Sequence, residues 1–116
     1  MDDEGDDRYA RAPEIDDLVF LCRRLNEEGA RYLVIGGFAI GFHGFVRATK
    51  DIDLLVDPAE ENVRAIKRAL ASLPDNAAAQ LADSDVADYG VVRVADEVVV
   101  DLLARACSVD YAEAMK

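Results

Sequence analysis

Residues 32–57 read YLVIGGFAIGFHGFVRATKDIDLLVD, and this stretch decides the fold that we expect. An apolar strand leads into a double glycine, and a second apolar strand carries two aspartates separated by one residue, Asp51 and Asp53. Successive side chains of a strand point to opposite faces, so the two carboxylates should lie side by side on one face. The stretch therefore predicts concentrated negative charge on one face of a sheet.

Two neighbouring carboxylates on an apolar strand raise each other's proton affinity unless a cation lies between them. A divalent metal resolves the repulsion most simply, and hard oxygen ligands suit Mg²⁺, with Mn²⁺ as the alternative. Gly36 and Gly37 follow the first strand, and backbone N–H groups without a neighbouring Cβ can approach an anion there. Together these features indicate a site for a metal-bound nucleoside triphosphate.

The order of apolar strand, Gly36-Gly37, thirteen intervening residues and D-I-D-L resembles the signature of the polymerase-β-like nucleotidyltransferase superfamily. The Gly-Gly form, with H-G at 43–44 and R-A-T-K at 47–50, is similar to a small bacterial branch that includes abortive-infection toxins. The resemblance covers roughly residues 30–103, and it implies that the strand aspartates bind metal while the glycine turn holds the triphosphate. Many members carry serine where this chain has Gly37, so a hydroxyl contact to phosphate is lost.

The resemblance also implies a third acidic residue from a later strand. Asp101 is the matching candidate, because it lies in the apolar run VVVDLL at 98–103. In the expected two-metal scheme, Asp51 and Asp53 hold the metal that grips the triphosphate, and Asp101 with Asp53 holds the metal that activates an acceptor hydroxyl. A charged group in so apolar a strand must be paired, metal-bound or at an edge, and pairing with Arg93 across a hairpin is the alternative for Asp101.

Arg47 and Lys50 are the cations nearest to the paired aspartates in the sequence. A strand-like path would bring both within reach of metal-held phosphates, so we expect them to bind the nucleotide. Charge balance for the two aspartates is the alternative role. His43 is the only histidine, and no other His or Cys is placed to join it, so we expect a structural role for it.

Hydrophobic periodicity and turn signals predict the order α-β-α-β-α-β-β. The fold class is α/β (α+β), a nucleotidyltransferase fold with a small mixed, mainly antiparallel sheet flanked by helices. Asp57 is expected to cap the third helix, with Glu60 in a capping box, and Pro74 to stop it. Residues 74–88 either border the site as a lid or form a plain connector. The expected elements are helix 14–28, strand 31–36, helix 38–45, the DIDLLV strand, helix 58–73, a short helix near 77–81, and hairpin strands 89–95 and 98–103.

The chain has 116 residues, enough for one small domain, and 52% hydrophobic residues fit a packed core. We expect a disordered acidic lead at 1–12, a nucleotidyltransferase domain at 13–108 and the start of a further helix at 109–116. No run of about 18 apolar residues and no signal peptide is found, which favours a cytoplasmic protein without a membrane segment. Cys22 and Cys107 are expected to be free thiols.

The formal net charge is −11, and the body of the chain is acidic even without its N-terminal lead. Extended nonspecific binding to DNA or RNA is therefore disfavoured, whereas a single docked RNA end is compatible with this charge. The expected reaction is transfer of a nucleoside monophosphate from an NTP to a hydroxyl of a protein, an RNA end or a small molecule, with release of pyrophosphate.

One alternative belongs to a different functional class. A catalytically silent nucleotidyltransferase-like module would recognise a nucleotide or a partner protein without turnover, as an antitoxin does. A third interpretation treats the aspartate pair as a surface ion cluster, which requires the glycine spacing and Asp101 to be coincidental. The sequence leaves a homo-oligomer open as well.

Overall fold

The computed structural model describes residues 10–35, 51–106 and 108–115. The helix expected at 38–45 lies outside these residues. Within them, no helix has the length and apolar character that a membrane crossing requires. The helices are α1 (Ile15–Glu27), α2 (Glu60–Leu70), a 3-10 turn (Ala77–Gln80), α3 (Asp85–Tyr89) and α4 (Tyr111–Ala114). The strands are β1 (Tyr32–Ile35), β2 (Asp51–Val56), β3 (Val91–Ala95), β4 (Val99–Leu103), β5 (Arg105–Ala106) and β6 (Val109–Asp110).

Strands β1 to β4 form one mixed sheet in the order β1-β2-β4-β3. β1 pairs antiparallel with β2, β3 pairs antiparallel with β4, and the central pair β2 and β4 is parallel. The predicted mixed, mainly antiparallel sheet and its hairpin are therefore confirmed. In this register Asp53 lies opposite Asp101, so the odd-numbered residues of both central strands share one face.

The hydrophobic core covers the even-numbered face of the sheet. Ile52, Leu54 and Leu102 are fully buried there. Helices α1 and α2 pack over them with their apolar stripes, whose residues recur every three or four positions, as the sequence predicts. Ala78 and Val86 of the segment 74–88 belong to the same cluster. That segment therefore packs into the core, and its packing does not support a role as a lid over the carboxylates.

Helix α2 begins later than the sequence predicts. Its N-cap is Ala59, and no side chain caps it. Asp57 Oδ1 instead accepts a hydrogen bond from the N–H of Ala59 at 3.0 Å, and Oδ2 accepts one from Arg31 Nε at 2.7 Å. The predicted capping box of Asp57 and Glu60 is therefore wrong, because the carboxylate is used in the turn before the helix and in an ion pair.

Strand β1 is also less buried than predicted. Its continuous apolar run predicts a strand buried on both faces, but all four residues are only half-buried. β1 lies at the edge of the sheet, and among the described strands it pairs only with β2. An edge position leaves one side of a strand uncovered by the sheet, which accounts for the difference.

The turn between β3 and β4 is anchored by a buried carboxylate. Asp96 accepts hydrogen bonds from the N–H groups of Asp75 at 2.9 Å and Ala77 at 2.8 Å. On the outside of the turn, Arg11 donates its backbone N–H to Glu97 O at 3.0 Å. Arg11 lies near the end of the segment 1–12 for which we expect disorder, and residues 1–9 of that segment lie outside the described ranges.

Asn62 joins helix α2 to the end of the sheet. Its side chain is 1% exposed. Oδ1 accepts from the N–H of Arg31 at 2.7 Å, and Nδ2 donates to Arg31 O at 3.0 Å and to Asp57 O at 2.8 Å. Every polar atom of this buried amide is used, so Asn62 holds the start of β1, the end of β2 and α2 together.

We expect Asn62→Ala to lower the free energy of unfolding by about 2–3 kcal/mol, because the substitution removes three hydrogen bonds of a buried amide and takes away the partner of the Arg31 N–H and of the Asp57 carbonyl. Urea unfolding followed by circular dichroism measures the difference. Glu60→Ala, an exposed position in the first turn of the same helix, is the control and should change stability by no more than about 0.5 kcal/mol. Equal stabilities of the two variants would contradict this role for Asn62.

Candidate active site

Three carboxylates meet on the face of the sheet opposite the helices. Asp51 opens β2 and Asp53 follows it on the same face, while Asp101 lies in the middle of β4 as the direct cross-strand partner of Asp53. One carboxylate oxygen from each residue lies within 4.8 Å of the other two. The structure therefore brings these three predicted site residues together, and their chemical roles stay a prediction.

Arg93 of β3 completes the cluster. It lies opposite Asp101 in the hairpin register. Its Nε donates to Asp101 Oδ1 at 2.9 Å and its Nη2 to Asp101 Oδ2 at 3.0 Å, which makes the pair bidentate. Nη2 also donates to Asp51 Oδ2 at 3.1 Å. The Arg93–Asp101 pairing that the sequence leaves open as an alternative is thus present, and it coexists with the carboxylate cluster.

Sequence reasoning missed the second contact of Arg93. The hairpin spacing is a signal for a cross-strand pair of Arg93 with Asp101, because two residues at equal distance from a tight turn face each other. The contact with Asp51 depends on the parallel pairing of β2 with β4. No local pattern reveals which strands lie side by side, so this site residue emerges only from the fold.

The electrostatics of the cluster are unbalanced. Three carboxylates and one guanidinium leave a formal charge of −2 if all are ionised. Burial first, and then the negative charges of Asp51 and Asp101, raise the pKa of Asp53 to about 6, while Arg93 acts in the opposite direction. Among the described residues the cluster therefore keeps an excess of negative charge, which favours a cation beside it.

The donor set fits a hard divalent cation. All three potential ligands are carboxylates, and their spacing approaches the roughly 4.2 Å between two oxygens on opposite sides of one Mg²⁺. The side chains of Asp51 and Asp101 keep 27% and 12% of their surface exposed, so the cluster is not sealed within the core. These residues could hold Mg²⁺ or Mn²⁺ and leave coordination positions for water or substrate oxygens.

The remaining predicted site residues, Gly36, Gly37, Arg47 and Lys50, lie outside the described residues, as does His43. Strands β1 and β2 flank the segment 36–50, and both are described. β1 ends at Ile35, and Ile35 is the cross-strand partner of Asp53. The described part of β1 therefore ends beside the aspartate pair, and β2 begins at Asp51.

A mixed sheet with helices on one face and three carboxylates on the other is consistent with a nucleotidyltransferase-like domain. A family model described as the nucleotidyl transferase AbiEii toxin of type IV toxin–antitoxin systems matches residues 19–112. The chain belongs to this family, and the resemblance to abortive-infection nucleotidyltransferases that the motif indicates is confirmed. No curated protein and no solved structure matches the sequence significantly. The matched range includes all three aspartates of the cluster.

We expect Asp53→Asn to stabilise the metal-free protein at pH 8 by about 1 kcal/mol, a value reduced for the partial solvent exposure of this group. The raised pKa of Asp53 means that its ionised form destabilises the folded state above about pH 6. At pH 4 the carboxyl group is protonated in the folded state and about half protonated in the unfolded state, so most of the gain should be lost. Urea unfolding with a chelator at pH 8 and pH 4 measures both effects.

Asp88→Asn is the matched control for this experiment, because Asp88 is an exposed aspartate of α3. It removes the same charge from the protein without touching the cluster. A gain of similar size in the control, or a loss of stability in Asp53→Asn at pH 8, would contradict the repulsion inferred among the three carboxylates.

Proposed function

We propose that this chain is a cytoplasmic, metal-dependent nucleotidyltransferase that moves a nucleoside monophosphate from an NTP to an acceptor hydroxyl and releases pyrophosphate. The observation that carries the proposal is the meeting of Asp51, Asp53 and Asp101 in adjacent parallel strands. Membership of a nucleotidyl transferase toxin family adds a nucleotide substrate and, as a toxin–antitoxin system, an antitoxin counterpart. A protein, an RNA end or a small molecule carries the acceptor hydroxyl.

In this proposal the three carboxylates act as ligands. Asp51 and Asp53 would hold the cation that accompanies the triphosphate, and Asp101 with Asp53 would hold a second cation. Bound Mg²⁺ or Mn²⁺ supplies positive charge to the phosphoryl oxygens and lowers the pKa of the acceptor hydroxyl. The acceptor oxygen bonds to the α-phosphorus, the bond to pyrophosphate breaks, and the hydroxyl proton leaves to solvent. No nucleophilic side chain is required.

The phosphate contacts are assigned to the motif residues. Gly36 and Gly37 offer backbone N–H groups to the β and γ phosphates, and Arg47 and Lys50 balance the negative charge that develops in the transition state. These four residues lie outside the described part of the chain, so their assignment rests on the motif. The end of β1 opposite Asp53 supports it, because the glycine turn directly follows Ile35 in the sequence.

One observation favours the alternative of a catalytically silent module. Arg93 already binds two of the three carboxylates, which is the arrangement expected if an ion pair had replaced a metal. Gly37 in place of the common serine points the same way. Such a module would act on a partner protein or a nucleotide without turnover, and it would consume no NTP.

We expect the wild-type protein to bind at least one of the four NTPs in calorimetric titrations with Mg²⁺. When a chelator removes the Mg²⁺, it should bind the same NTP far more weakly. Asp53→Asn should lower the rate of transfer from an α-labelled NTP on the order of 10²-fold or more, because it removes a charged ligand shared by both cations. Asp88→Asn should retain the wild-type rate. Transfer at the wild-type rate in Asp53→Asn would refute the assignment, and NTP binding without any turnover would favour the silent module.

A further inference from the structure

The guanidinium of Arg93 lies against the carboxylate cluster and contacts two of its members. Its guanidinium uses Nε and Nη2 to bind both oxygens of Asp101, and Nη2 also reaches Asp51. Bidentate arginine–carboxylate pairs are among the strongest and most directional polar contacts in proteins. Because the carboxylates of Asp51 and Asp101 are also potential metal ligands, the guanidinium and a metal would draw on the same two side chains.

The other described arginines with ion pairs are engaged away from the cluster. Arg31 binds Asp57, Arg64 binds Asp83, and Arg68 binds Glu28. Arg93 differs from them because it contacts two carboxylates from two different strands. It also keeps 41% of its side-chain surface exposed, so the guanidinium can reach ligands in solution. Arg93 is therefore placed both to hold the cluster together and to contact an incoming anion.

We propose that Arg93 is an internal counter-ion that competes with divalent metal for Asp51 and Asp101, so that the metal and the nucleotide load together. The proposal rests on the proposed function. A metal that arrives alone must displace the charge-assisted hydrogen bonds from Arg93 to Asp51 and Asp101. A metal that arrives with a triphosphate brings phosphate oxygens, which are acceptors that match a guanidinium equally well.

The proposal has a defined thermodynamic form, a positive coupling between metal and nucleotide binding. Such coupling is reciprocal, so each ligand should raise the affinity for the other by the same factor. The coupling is the ratio of the metal affinity with nucleotide to the metal affinity without it. Removing the guanidinium should lower this ratio, because the metal then binds more tightly in the absence of nucleotide. At a separation of about 6 Å and the dielectric constant of water, one positive charge opposes a divalent cation by about tenfold in affinity.

The test is titration of Mn²⁺ into nucleotide-free protein, with free Mn²⁺ followed by electron paramagnetic resonance. We expect Arg93→Met to bind Mn²⁺ about tenfold more tightly than wild type, because it removes the charge but keeps an aliphatic side chain. Arg93→Lys retains the charge and should stay within about threefold of wild type. Arg64→Met, on the opposite side of the sheet, is the matched control and should equal wild type. Arg93→Gln serves as a second neutral variant if Arg93→Met unfolds.

The same titration in the presence of the NTP measures the coupling. In wild type the nucleotide should raise Mn²⁺ affinity strongly, and in Arg93→Met the factor should fall by about tenfold. Weaker Mn²⁺ binding by both neutral variants would overturn the proposal and leave Arg93 as a residue that only positions Asp101. Unchanged affinity in both would also overturn it.

The outcome for Arg93 can be separated from the outcome for the proposed function. If the neutral variants gain Mn²⁺ affinity while neither they nor the wild type transfers a nucleotide, the counter-ion role stands and the transferase proposal fails. If transfer occurs and the neutral variants show no gain, the transferase proposal stands and the counter-ion role fails. Adding Asp53→Asn to Arg93→Met should abolish the gained affinity, which places the bound Mn²⁺ at the cluster.

Discussion

The structure depends on the parallel pairing of β2 with β4. Hydrogen bonds between these strands set Asp53 directly opposite Asp101, and the two-residue period of β2 adds Asp51 to the same face. Three like charges would separate if the side chains stood on flexible loops. Here the backbone ladder holds them at close range, and burial together with the resulting repulsion raises the pKa of Asp53. The concentration of negative charge on this face is therefore a property of the sheet register.

The opposite face of the same strands stabilises this arrangement. Residues next to the aspartates, such as Ile52 and Val100, are fully buried beneath the helices. Each central strand thus alternates between a residue that packs the core and a residue that faces the cluster. Asn62 fixes the helix layer to the sheet through three backbone hydrogen bonds. The apolar face offsets the unfavourable electrostatics of the polar face, as is common where function needs strain.

Much of this organisation is readable from local patterns. The alternation in DIDLLV and VVVDLL predicts the two central strands and the shared face of their aspartates, because period two is a strictly local property. The hairpin and the two longer helices follow from spacing and turn residues in the same way. The membership of a nucleotidyl transferase toxin family agrees with the glycine and aspartate spacing.

The features that sequence reasoning missed are non-local or very short. Asp57 has the residue type and position of an N-cap, but its oxygens are used by Arg31 from another strand and by the turn itself. The contact of Arg93 with Asp51 requires knowledge of the strand order. Helix α3 and the β5–β6 ladder contain too few residues to show a period.

The buried Asp96 has a consequence for the precision of the cluster. It ties the β3–β4 turn to the backbone at Asp75 and Ala77, so the turn has one permitted position relative to the core. A slip of the hairpin by one residue would move Arg93 and Asp101 to opposite faces of the sheet. The anchored β3–β4 turn disfavours such a slip. The accuracy of a site on one face is thus maintained by a carboxylate that never touches it.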